Sequence, residues 1–168
     1  MTLLTMFICL GVLSLVIGPV MLMQPTPAQR REAGLRNKAL EQGLRVQLLP
    51  LPTGMVNRTS QTGVCYSLTW PSVKSMPLTW GLMRKNFEHD LHVFGVWDWY
   101  IKPDNEELID LLSRLTKVPD KVYAITCTPQ NLGCYWSEMG QDDDVEDIAS
   151  WLNESVRLWS RSEIIEPE

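Results

Sequence analysis

The first 23 residues of this 168-residue chain contain no Lys, Arg, Asp or Glu. The rest lacks the short motifs of familiar chemistry: there is no glycine-rich phosphate loop, nucleophile elbow, Ser-x-x-Lys or His-Glu-x-x-His. The 4 cysteines include no Cys-x-x-Cys pair, and there are only 2 histidines. No repeat is visible. With 45% hydrophobic and 21% charged residues, these absences exclude a disordered, collagen-like or polytopic membrane protein. They leave one apolar leader and one domain of ordinary size.

Met1–Met23, as a helix, would extend about 34 Å, enough for a hydrocarbon layer of about 30 Å. Gly18 and Pro19 lie inside it, and membrane helices tolerate both. No Lys or Arg precedes the apolar run, and no small-x-small site follows it at Val20–Gln24, so a retained anchor is expected rather than a cleaved signal peptide. Between Pro27 and Leu51 stand Arg30, Arg31, Arg36, Lys38 and Arg45 against Glu32 and Glu41. The positive-inside rule then predicts a bacterial inner-membrane protein with a periplasmic amino terminus and a cytoplasmic domain. Gly11 and Gly18, seven apart, share a helix face suited to close contact with another membrane protein.

Thr26 followed by Pro27 and Gln29 is a capping box, and Gly43 is a stop, so a helix is expected over Pro27–Gln42. Its Arg30, Arg31, Arg36 and Lys38 are the candidate lipid or partner contacts. Alternation and turn residues predict strands over Leu44–Leu51, Val64–Trp70, Thr79–Lys85 and Val93–Ile101. Asp104 caps a helix with Leu108, Leu111, Leu112 and Leu115 on its buried stripe. Lys121–Thr128 and Leu132–Glu138 read as a hairpin, with Val122, Ala124 and Thr126 opposing Tyr123, Ile125 and Cys127. The last helix follows Gly140–Asp144 and buries Val145, Ile148, Ala149, Leu152, Val156 and Trp159. The expected organisation is an anchor (1–23), a juxtamembrane basic helix (24–43), a soluble domain (44–161) and an acidic tail (162–168). Consecutive strands followed by helices predict α+β, with a mainly antiparallel sheet and two or three helices on one face.

Four groupings invite a chemical reading. Cys127 and Cys134 flank the hairpin turn, yet a cytoplasmic domain keeps thiols reduced, so two buried thiols are expected. His89 and His92, beside Glu88 and Asp90, offer a general base or metal ligands, but lack a distant third ligand. Asp142–Asp147 breaks the alternation of a calcium loop and suits a helix amino end. Asn57 and Asn153 begin glycosylation sequons that a cytoplasmic domain would not expose to the machinery. Neither a metal site nor a cofactor is expected. The 7 tryptophans are the least ordinary feature; they fill the core, or some of them, with Trp97, Trp99 and Trp136 as candidates, form a platform for a partner. Beyond Leu51 there are 10 basic and 18 acidic residues, which argues against nucleic acid as a partner.

Gly18-Pro19-Val20-Met21-Leu22-Met23-Gln24-Pro25-Thr26-Pro27-Ala28-Gln29-Arg30-Arg31 resembles the anchor region of uncharacterised single-pass inner-membrane proteins of gammaproteobacteria. Some of these are labelled as the Sec translocase accessory subunit YajC. The resemblance covers about 30 residues, the length of one span and its basic flank, and the glycine-rich segment of the Sec subunit is absent. It implies a Sec accessory role and carries over no functional residue. From the residues themselves, the expected function is that of a membrane-anchored interaction protein, an accessory or scaffold factor without catalysis of its own. The alternatives are the Sec role and a tethered enzyme using His89 or His92.

Overall fold

Local chemistry sets the first elements. In the computed structural model Thr26 and Gln29 close the capping box: the Thr26 N–H donates to Gln29 Oε1 at 2.8 Å, and the Gln29 N–H donates to Thr26 Oγ1 at 3.3 Å. Helix α2 runs Pro27–Glu41 from that cap. It ends in a Schellman motif, with the Leu44 N–H on the Ala39 carbonyl, the Gly43 N–H on the Leu40 carbonyl, and Gly43 at φ 78°. Only glycine takes that left-handed turn without strain. Residues 3–22, 24–52, 55, 61–71, 79–85, 92–103 and 118–159 are described, those at 16, 18–22 and 92–94 by backbone alone. The expected helix from Asp104 and the acidic tail lie outside them.

Helix α1 spans Leu3–Leu22 without a charged residue. Among the described residues no helix is long and apolar enough to cross a membrane. The side chains of α1 are described over Leu3–Leu15 and at Ile17, a continuous stretch of only about 20 Å. The chain divides into two compact units, Met1–Gly34 and Leu35–Glu168.

In the second unit, β1 (Arg45–Pro50), β2 (Thr62–Thr69), β3 (Trp80–Arg84), β4 (His92–Phe94), β5 (Trp97–Ile101), β6 (Val122–Cys127) and β7 (Asn131–Trp136) precede helix α3 (Asp142–Trp159). The strands form one antiparallel sheet in the order β1-β2-β7-β6-β3-β5-β4. The unit is α+β. One sheet face, carrying Tyr66, Trp80, Leu82, Trp97, Trp99, Ile125, Cys127, Leu132, Cys134 and Trp136, packs with Leu35 and Ala39 of α2 and the apolar stripe of α3. The other face gathers Cys65, Met83, Ala124 and Tyr135, with Tyr100, Tyr123, Leu49 and Leu51 against them. A Cβ on Gly81 would clash with the hydroxyl-bearing edge of the Tyr100 ring, so that position admits only glycine without a shift of the tyrosine.

Two sequence expectations are corrected. The single strand over Val93–Ile101 is a hairpin, β4 and β5, because Gly95 adopts φ 57° and turns the chain. In β6 the register shifts between Val122 and Ala124, which brings Val122 into the main core with Ile125 and Cys127 rather than opposite them. A bulge inserts one residue and so reverses the side-chain alternation beyond it.

Helix α3 begins with a side-chain cap. The Gln141 N–H donates to Asp144 Oδ2 at 2.7 Å, and Lys121 Nζ meets the same oxygen at 2.6 Å. The Lys121 ammonium, then the Gln141 N–H, hold the Asp144 carboxyl below its ordinary 3.8. A lowered folded value means the stabilisation is present above that pH and is lost as pH falls through the folded value. Asp144→Asn should therefore cost about 1 kcal/mol at neutral pH, and its deficit should shrink as urea unfolding is repeated below pH 3.8. A deficit constant from pH 7 to pH 2 would place the stabilisation elsewhere.

Candidate functional site

The most developed polar constellation joins α2 to the sheet through a buried carboxylate. Glu138 follows β7 and is 3% exposed. Arg36 on α2 donates from Nε to its Oε1 at 2.9 Å and from Nη2 to its Oε2 at 2.6 Å, a bidentate pair. From β2, Tyr66, with no exposed surface, donates its hydroxyl to Glu138 Oε1 at 2.9 Å. A planar guanidinium matches both carboxylate oxygens at once, which a lysine cannot do. Glu138 is also the one non-glycine with positive φ among the described residues, at 53°. Such a conformation costs roughly 1–2 kcal/mol and persists because four hydrogen bonds hold the carboxylate. Two residues further along α2, Lys38 pairs with Glu146 of α3 at 2.7 Å, and the Glu146 hydrogen bond raises the Lys38 pKa.

This arrangement clamps and does not react. Burial, with the neighbouring Glu138 charge, pushes the Tyr66 hydroxyl far above its usual range, so it remains a donor and never a base. The buried thiols are equally inert. All 4 cysteines are thiols without disulfides. Burial pushes Cys65 up to about 12 and raises Cys127 and Cys134 as well. Since the thiolate is the nucleophile, none of these three should react with a dithionitrobenzoate reagent at pH 8 until the fold opens. Titration of the Cys9→Ser protein in its native state, followed by the same titration in denaturant, checks this; fast native labelling would contradict the burial.

Of the basic residues expected to face lipid or a partner, Arg36 and Lys38 are instead engaged by Glu138 and Glu146 within the second unit. Arg30 and Arg31, in the first unit, are exposed. The tryptophan platform is not formed. Trp97, Trp99 and Trp136 are 4%, 4% and 1% exposed, because the strand pleat turns all three toward the helices, where a large ring buries most area. All 7 tryptophans are buried. His89 lies outside the described residues. His92 sits in β4 with Asp98 of β5 as its register partner, and Asp98 is 2% exposed. Among the described residues no group of His, Cys, Asp and Glu is placed to hold a metal.

Sequence reading missed Tyr66 and Glu138. Glu138 is 102 positions from Arg36, and no local pattern signals a pair so distant. Leu68, Thr69, Pro71, Asn153, Glu154, Val156 and Arg157 line an open groove of about 760 Å³ between the end of β2 and α3. The chain matches no family model, no curated protein and no solved structure, so its geometry is the only guide to its role.

Proposed function

We propose that this protein is a single-pass, membrane-anchored interaction factor, an accessory or scaffold component of an inner-membrane complex, with its α+β domain in the cytoplasm. One observation carries the reading. Every described side chain of α1 is exposed, including Leu3, Phe7, Leu10, Leu13 and Leu15. A helix that is apolar on all sides and uncovered by protein needs an apolar solvent, and the bilayer is that solvent. The basic residues that follow set the orientation. The second half of α2 is clamped into the domain by Arg36 and Lys38.

Three measurements test it. The protein should resist carbonate extraction, a carboxyl-terminal phosphatase reporter should stay inactive, and mild-detergent purification should recover defined membrane partners. An active periplasmic reporter, or recovery as a lone monomer in several detergents, would overturn the orientation or the scaffold role respectively. The Sec accessory alternative predicts slower protein export on depletion.

A second reading, a tethered enzyme, is favoured by the register of His92 with the buried Asp98. In that reading H89Q/H92Q should fail to complement a strain lacking the protein, and full complementation would remove it.

A further inference from the structure

We infer that, within the basic run from Arg30 to Lys38, contact with anionic phospholipid headgroups is made by Arg30 and Arg31, and that Arg36 and Lys38 take no part in it. The inference rests on the anchor reading above and divides that run by what each residue touches. Arg36 gives the Nε–Nη2 edge of its guanidinium to Glu138, at 2.9 and 2.6 Å. Lys38 meets Glu146 at 2.7 Å. Their charges are largely cancelled where they stand. Arg30 and Arg31 are exposed.

The backbone of α2 offers an anion little. Pro27 has no N–H, and the Gln29 N–H is taken by Thr26 Oγ1 at 3.3 Å. Recognition of a phosphodiester therefore falls to the two guanidinium groups, which suit it bidentately. Arg58, Lys74, Arg84 and Lys85 also stand without an acidic residue between Pro52 and Phe87, but the chain beyond Leu51 is acidic as a whole. Beyond Leu51, 18 acidic residues outnumber 10 basic ones and oppose an anionic surface. Near such a surface each arginine shifts local partition by about fivefold. A contact of two residues, rather than four, is therefore weak and salt-sensitive.

The test uses the full chain reconstituted in vesicles of phosphatidylcholine alone or with phosphatidylglycerol. Spin-labelled lipids of each headgroup report which one the protein immobilises. The native protein should immobilise phosphatidylglycerol in preference to phosphatidylcholine, with the preference falling severalfold as salt is raised. R30Q/R31Q should bring the ratio to one, while K38Q leaves it unchanged. Equal losses in K38Q and R30Q/R31Q would overturn the division, as would a ratio of one in the native protein. Full competition by millimolar inorganic phosphate would show a free-anion site instead of a membrane contact, which also overturns it. Carbonate-resistant insertion into phosphatidylcholine vesicles is read separately. Its absence would remove the anchor and the inference together, whereas insertion without headgroup preference removes the inference alone.

Discussion

Replacing Arg36 with Met is expected to lower the unfolding free energy of the full chain by about 3 kcal/mol, the lower end for breaking a buried pair. The cost arises on the other partner. Glu138 has a side chain only 4% exposed, whereas that of Arg36 is 36% exposed. Removing the arginine leaves a carboxylate in the interior with Tyr66 as its remaining donor, and too little solvent to hydrate it. Glu138→Gln should cost less, roughly 1–2 kcal/mol, because the amide oxygen still accepts from Tyr66 and Arg36 can reach water. The pair Arg36→Met with Glu138→Gln should recover part of the loss, since a neutral amide is cheaper to bury than a charge. Urea unfolding in mild detergent, followed by near-ultraviolet circular dichroism, supplies the double-mutant cycle. Additive losses would mean that the two side chains act independently.

Trp80→Ala should be the most damaging single substitution, at roughly 3–5 kcal/mol. Trp80 has no exposed surface and lies 5.1 Å from Trp159 and 6.3 Å from Trp99, centroid to centroid. Trp159 in turn stacks on Trp70 at 6.4 Å and 11°. The truncation opens a void at the junction of β3, β5 and α3, and rigid neighbouring rings cannot collapse into it. The Trp80 fluorescence and the aromatic dichroism of its partners should change together with the urea midpoint. A loss below about 1 kcal/mol, the scale of surface changes, would show that these rings do not form one packed array.

Legibility differed between the fold and the site. The α3 stripe from Val145 to Trp159, the capping box at Thr26 and the stop at Gly43 were all readable, because each is a contact within a few residues along the chain. The tryptophans were readable as a group but not individually. Alternation places Trp97 and Trp99 on one side of a strand, and does not say whether a helix covers that side. The clamp was invisible for a different reason. Arg36 looks like any other cation of a juxtamembrane run until the sheet order carries Glu138 beside it.

By itself, the sequence determined the uncharged leader, the basic flank, the antiparallel α+β plan and the positions of α2 and α3 to within a few residues. Periodicity, capping and composition are local quantities, and they act before the chain has folded. Only the tertiary structure decided which cations serve the domain and which stay exposed, that Gly95 turns the chain where an unbroken strand was expected, and that the tryptophans are spent on the core. Charge pairing and burial depend on neighbours far apart in the chain, and only the completed sheet brings Arg36, Tyr66 and Glu138 within 3 Å of one another's partner atoms.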